Sequence, residues 1–331
     1  MFHIFVSIFI LLFIAYLYKQ FQRKEEQQIM HDYDKLIKQY LYNPSKGIKE
    51  DLKLPNPILW IHIPKNKNSR TWINWGSRNN YHNPPYTYLT LLSIIRHAKN
   101  KFRICFINDE SFKHLLPLWK VNILKAPHSI RDRLRQLAIL KIIYLYGGIH
   151  LPIHYLPLND ISETFNYGLK EKECFFGKVG CHVVDNDDTQ CSILPTFVGA
   201  KQHSNVLKDI IQTFEYEFSS DFTDECVFKK RYDNVLRDYE TKGDIKLIEP
   251  SYLGCIDKDQ NIVSIETLFE NNQLTSLYDL DSLFGLYIPH ECISKRTKYN
   301  WFEYIPYNQI LHLNTILSRF FVLSLGDSLE S

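Results

Sequence analysis

Apolar positions follow three kinds of pattern along this chain, and each predicts a different element. From Phe2 to Tyr18 every position except His3 and Ser7 is apolar or aromatic, and the run ends at Lys19, Gln20, Arg23 and Lys24. A run without a polar face predicts a helix in apolar surroundings. Its length lies near the lower end of the roughly 17–25 residues that span a bilayer. It has neither the basic start nor the small-residue cleavage site of a secretory leader, so residues 2–18 are expected to be an uncleaved transmembrane anchor. Residues 19–54 then form a juxtamembrane or stalk segment, with helical spacing from Ile29 to Tyr42 that stops at Asn43-Pro44.

Beyond the stalk, short β-rich runs alternate with longer helical ones. Pro57 to Pro64 and Phe102 to Asp109 predict core strands, the second ending in polar residues. Pro84 opens a helix through Tyr88, Leu91, Leu92 and Ile95, with Asn83 as its N-cap. A second apolar helical run (Leu134, Leu137, Ile139, Leu140, Ile142, Ile143, Leu145) enters Gly147-Gly148, a pair suited to a left-handed C-cap. Ile149, Leu151 and Ile153 then alternate with His150, Pro152 and His154, which predicts a strand. A further helix, opened by His203 or Ser204, carries Val206, Leu207, Ile210, Ile211 and Phe214. The alternation predicts an α/β domain over residues 55–326 rather than a bundle or a sandwich.

Composition narrows the function classes. A chain of 331 residues that is 45% hydrophobic can build one large core. A net charge of +2, with no basic block interleaved with aromatics, excludes a dedicated nucleic-acid binder. The 7 cysteines contain no C-x-x-C pair and read mostly as buried apolar residues of a reducing compartment. Cys174, Cys181 and Cys191 are close enough in sequence to cross-link if the domain is lumenal. The basic residues after the anchor favour a cytoplasmic domain, and no Asn-x-Ser/Thr sequon with a permitted middle residue occurs.

Tyr146-Gly147-Gly148-Ile149 and Leu151 resemble the Tyr-Gly-Gly-Ile-Tyr-Leu-Asp-x-Asp motif of glycosyltransferases with a DXD sugar-binding motif. That group includes yeast-type initiating mannosyltransferases, capsular-polysaccharide transferases and the large clostridial toxins. Pro152 and His154 stand in place of its two aspartates. The family's helical Asp-x-x-Arg, counted back from the glycines, falls on Gln136 and Ile139, whereas an Asp-x-x-Arg occurs one turn earlier, at Asp132 and Arg135. Pro57 to Pro64 is similar to the family's opening strand, Phe102 to Asp109 to its next core strand, and Pro195 to Lys201 to the strand and turn on the acceptor side. The resemblance covers roughly Pro57 to Ile211. Beyond it the chain bears a general likeness to membrane-anchored proteins of giant DNA viruses.

The resemblance implies a GT-A-like (Rossmann-like) nucleotide-sugar-binding domain behind the transmembrane helix, and sugar transfer from a nucleotide-sugar donor. It implies a donor site built from Trp60, His62, Asp132, Arg135, Tyr146, Gly147, Gly148 and His150, with His154 and Asp109 as catalytic groups. In the family a carboxylate pair holds a divalent cation against the diphosphate, and such hard cations want oxygen ligands. Proline offers no ligand atom, so neither a metal site nor a cofactor is expected; Mn²⁺ or Mg²⁺ would need acids outside the motif. Transfer would then be metal-independent, with Arg or His groups stabilising the diphosphate. The alternative is a catalytically inactive glycosyltransferase-fold protein that binds or scaffolds at a membrane. The family plan would make the domain lumenal, against the local charge.

Several side chains have bland readings beside these. On a strand His150 and His154 stand about 13 Å apart, too far to chelate one ion unless Pro152 bends the chain. Arg131, Arg133 and Arg135 cannot all face one pocket from one helix. Trp60, Trp72, Trp75, Tyr81, Tyr86 and Trp301 are candidates to stack on a base or a sugar, or to fill the core. The segment Asn68 to Arg78 combines aromatic, basic and amide groups where a nucleotide edge would lie. Asp185 to Asp188 lacks the glycine and glutamate of a calcium loop and reads as a solvated turn.

Overall fold

The computed structural model describes residues 2–44, 56–64, 83–117, 119–179, 192–220 and 225–326. Asn68 to Arg78, Tyr81, Asp185 to Asp188, Cys181 and Cys191 lie outside them. Helix α1 (Phe2–Tyr40) is one 39-residue rod where an anchor and a separate stalk helix were expected. Lys19 to Gln28 is almost entirely Lys, Gln, Arg and Glu, all strong helix formers, so nothing interrupts the helix where its apolar run ends. The two ends of α1 differ. Large apolar side chains are exposed from Val6 to Phe21, whereas Ile29 is buried and Tyr33, Leu36, Ile37 and Tyr40 pack against the domain core. Among the described residues no helix carries an apolar stretch long enough to cross a membrane, so the expected transmembrane span is not found there.

The remaining elements form a three-layer α/β domain. In chain order they are β1 (Ile58–His62), α2 (Tyr86–Ala98), β2 (Arg103–Ile107), α3 (Phe112–Leu115), α4 (His128–Tyr146), β3 (Gly148–His150), β4 (Tyr155–Pro157), α5 (Ile161–Leu169), β5 (Cys174–Val179), β6 (Ser192–Ala200), α6 (Asn205–Ser220), α7 (Glu225–Thr241) and β7 (Lys246–Ile248). The main sheet has the order β2-β1-β3-β6-β5-β7. Its strands run parallel except β6, which pairs antiparallel with both β3 and β5. Alternate residues of β1 face opposite layers. Ile58 and Trp60 join the core under α4, α6 and α7, and Leu59 and Ile61 join the core shared with α1, α2 and α5. A parallel-rich sheet covered on both faces is compatible with a Rossmann-like fold.

A second, smaller layer follows: α8 (Ile265–Leu268), α9 (Leu274–Leu277), β8 (Gly285–Tyr287), α10 (His290–Lys295), α11 (Tyr307–Leu311) and α12 (Ile316–Leu325). It is tied to the first by the antiparallel pair β4-β8 and by Tyr86 and Leu89 of α2, which lie in its core.

Of the two expected openings of α6 it is Ser204 that caps the helix, its Oγ accepting from Leu207 N at 3.2 Å. The start of α2 differs from expectation. The Asn83 amide donates at 3.1 Å to the Tyr33 hydroxyl, tying the start of α2 to α1 rather than capping α2.

Candidate functional site

The chain leaves β1, forms β2 on one side of it and later β3 on the other, so the strand order reverses direction at β1. In open α/β sheets ligands sit at the carboxyl ends of the strands flanking such a switch point. Those ends here supply His62 from β1, Asn108 and Asp109 just past β2, and His150 from β3.

Gly147 and Gly148 set this edge. Gly147 (φ 68°) stops α4 with its N–H on Ile143 O at 2.8 Å, and Gly148 (φ 96°) brings β3 hard against β1. A Cβ on Gly148 would lie 2.1 Å from Ile58 O. Both glycines are therefore required by backbone geometry, which only a residue without a Cβ meets at low cost. Trp60 lies in the core, where its indole N–H donates to Gly147 O at 3.0 Å and its ring meets Tyr146 at 5.7 Å. Tyr146 donates its hydroxyl hydrogen to Leu115 O at 2.8 Å.

Four of the expected site residues meet in one network. Arg135 on α4 grips the Asp109 carboxylate with two bonds, Nε to Oδ1 at 3.0 Å and Nη2 to Oδ2 at 2.8 Å. His62 Nε2 donates to the same Oδ1 at 3.0 Å, and its ring stacks on Phe112 at 5.2 Å. Arg135 Nη1 also reaches Asp132 Oδ1 at 2.9 Å. The Asp109 and Arg135 side chains are only 4% and 6% exposed, that of Asp132 60%. Burial pushes the Asp109 carboxyl up, but the hydrogen bonds and charges of His62 and Arg135 outweigh it and hold the group well below the usual carboxylate range. Burial holds His62 below its ordinary value in spite of Asp109. The result is an ionised carboxylate, a guanidinium and a neutral imidazole that satisfy one another. Such a carboxylate has little affinity for a proton and makes a poor general base.

His150 is also fully engaged. Its Nδ1–H donates to Thr196 O on β6, and its Nε2 accepts from His62 N at 3.3 Å, which fixes the tautomer. Burial lowers its pKa to about 3, so it stays neutral at any physiological pH.

The strand expected through His154 ends at His150. Pro152 lacks an N–H to donate to a ladder, and Tyr155 N closes a turn onto Pro152 O at 3.0 Å. Thr90 Oγ1 pins that turn by donating to Ile153 O at 2.5 Å. The bend sends His154 to a second cluster instead of back toward His150. There His154 Nδ1 is hydrogen-bonded to the Tyr86 hydroxyl at 2.9 Å, and its ring stacks on His290 with centroids 3.7 Å apart. Burial and, secondarily, His290 hold His154 well below its ordinary pKa, while burial raises Tyr86 well above its own.

Thus His62, Asp109, Asp132 and Arg135 come together with His150 beside them; His154 stands apart, and Trp60, Tyr146, Gly147 and Gly148 shape the edge. His290 and Phe112 were not signalled by any motif. Among the described residues no three His, Cys, Asp or Glu side chains form a group able to hold a metal ion. No protein-family model matches the chain, and neither a curated protein nor a solved structure matches it.

Proposed function

We propose that the chain is a membrane-tethered binding or scaffolding protein on a GT-A-like, glycosyltransferase-derived fold, and that it does not transfer sugar. The observation that carries this is the closure of the Asp109 carboxylate by Arg135 and His62, at the switch point where a donor's charged groups would need partners. An Arg held bidentately by a buried carboxylate has little left to offer a diphosphate. Pro152 and the stacked His154 add no carboxylate where the family binds its cation. The tether is supported by the apolar run from Phe2 to Tyr18 and by the exposure of its described side chains.

A second reading, metal-independent sugar transfer from a nucleotide-sugar donor, is favoured by one observation. Asp132 presents an exposed carboxylate beside Arg135, at the edge where α/β folds take their ligands. Donor turnover decides between the two. The full chain in detergent, given UDP- and GDP-sugars with and without Mn²⁺, is expected to hydrolyse none above the blank. Turnover that disappears in Asp132→Asn would establish the second reading in its place.

A further inference from the structure

Ile29, Tyr33, Leu36, Ile37 and Tyr40 share one side of α1 at helical spacing, and that side is buried in or packed on the domain core. The contacts of this side show which way α1 leaves the domain. At its end the Tyr40 ring meets Phe106 at 5.4 Å, and Tyr42 N donates at 2.8 Å to the carbonyl of Phe106, the residue of β2 that pairs with Ile61 of β1. Earlier in the helix the Tyr33 hydroxyl accepts from the Asn83 amide at 3.1 Å, and the same amide reaches Pro64 O at 3.5 Å, just past the carboxyl end of β1. Asp32 takes the Tyr307 hydroxyl at 3.4 Å, and the Tyr307 ring meets that of Tyr88 at 4.7 Å, in the first turn of α2, the helix that follows β1.

Traced back from Tyr40, α1 therefore climbs from within β2 to the carboxyl edge of the sheet, where His62, Asp109, Asp132 and His150 stand. The two paths match in length. Tyr40 to Tyr33 is seven helical residues, about 10 Å at about 1.5 Å each, and Ile61 to Pro64 is three extended ones, about 10 Å at about 3.3 Å each. No proline or glycine interrupts α1, so the direction set by its packed half is kept. Its exposed apolar half, Val6 to Phe21, thus projects beyond the edge that carries the candidate site. From Tyr33 to Tyr18, where the apolar run ends, the helix covers at most about 22 Å.

We infer that the candidate site faces the membrane that holds residues 2–18 and takes its ligand from the surface of that membrane. The inference rests on the tether proposed above. The headgroup layer outside the hydrocarbon core fills about 5–7 Å of the distance to the edge. A folded domain of about 100 residues, with a radius of gyration of about 13 Å, is too wide for the remaining space of about 15 Å. Asp132 and Glu110 present exposed carboxylates at this edge, which accept hydrogen bonds from hydroxyl and ammonium groups. The partner that fits is a lipid-borne polar group carrying such donors, not a soluble folded protein.

The full chain would be reconstituted into phosphatidylcholine vesicles that carry a fluorescence acceptor on a lipid headgroup, with a fluorescent amino acid placed at Glu110 in one variant and at Lys201 in another. Both positions are exposed, and Lys201 follows β6 at the opposite edge of the sheet, where Ala200 pairs with Gly148. Energy transfer several-fold stronger from Glu110 than from Lys201 is the expected result, since Ile58 and Pro64 set the edges about 20 Å apart at about 3.3 Å per residue. Biotin at the same positions should bind streptavidin at Lys201 and be shielded from it at Glu110. Lys113, exposed close by, takes the probe if the Glu110 variant fails to fold. Release of the chain by carbonate would overturn the tether and the orientation together. Retention with transfer from Lys201 equal to or above that from Glu110 would overturn the orientation alone. Streptavidin binding equally well at both positions would overturn the lipid-borne partner.

Discussion

Two histidine clusters hang from the same edge of the sheet, built on opposite electrical plans. Around Asp109 the charges are real and cancel: a carboxylate, a guanidinium and a neutral imidazole, hydrogen-bonded and nearly sealed from water. Around His154 no carboxylate takes part in the hydrogen bond or the ring stack; a tyrosine hydroxyl and a second imidazole do the work of burial. The positions matching the DXD motif lie in the second cluster, whereas the acid of this edge comes from the end of β2. Aligned motif positions therefore say where the backbone passes, and the charge must be found from the packing.

The contrast breaks most visibly at Arg135. Arg135→Met leaves Asp109 buried with His62 as its remaining partner, and removing one member of a buried pair costs about 3–5 kcal/mol. Urea unfolding of the full chain in detergent should show that loss. Asp132→Asn removes an exposed partner of the same guanidinium and should cost less than about 1 kcal/mol. Adding Asp109→Leu to Arg135→Met should recover much of the loss, because an apolar replacement of both partners leaves no buried charge. Equal costs for Arg135→Met and Asp132→Asn would mean that the pair is open to water.

Acid should unlock both clusters, beginning with the histidines. An unfolded histidine takes up its proton near pH 6.5, whereas folded His150 does so only at about 3. Between those values the unfolded chain binds the extra proton, so stability is fully present above about pH 6.5 and is lost as pH falls. His62 and His154 are lowered as well and add to the same slope. Asp109 joins later: its folded pKa is depressed, so its share is present above the unfolded value near 3.9 and is lost below it. The melting temperature should be flat from pH 8 to 7 and fall from about 6.5 downward. His150→Asn, whose amide keeps a donor for Thr196 O and does not titrate, should make the fall shallower; an identical profile would show that His150 is not held neutral.

Much of this scaffold is legible in the sequence because its signals are local. Gly147-Gly148 marks the break between α4 and β3, since no other residue tolerates those dihedrals at that distance from Ile58. The apolar run from Ile58 to Ile61 marks a core strand, and it is buried on both faces. The strand read through Pro152 fails for a local reason too: periodicity continues across a residue that cannot donate to a ladder, and the turn prevails. The Asp109–Arg135 pair is different, because 26 residues separate its members and the register of α4 against β2 is set by packing rather than by any motif. His290 lies farther still from His154, in a segment with no pattern to announce it. The exposed apolar half of α1 is legible as a run in the sequence, but its continuity with the packed half is not, since the polarity changes while the helix does not.

The smallest effect expected is at Tyr86. Phe at this position keeps the ring contacts with Phe302 at 5.4 Å and Phe321 at 6.5 Å, so only the hydroxyl is lost. An ordinary hydrogen bond contributes about 1 kcal/mol net, and this part-buried one should cost no more than that. Tyr86→Phe should therefore shift the urea midpoint slightly, without changing the slope of the transition. Its effect should add to that of Arg135→Met if the clusters are separate, since sites without shared partners combine additively within about 0.5 kcal/mol. A coupling well above that would join the two clusters into one network, and the edge of the sheet would then have a single polar centre instead of two.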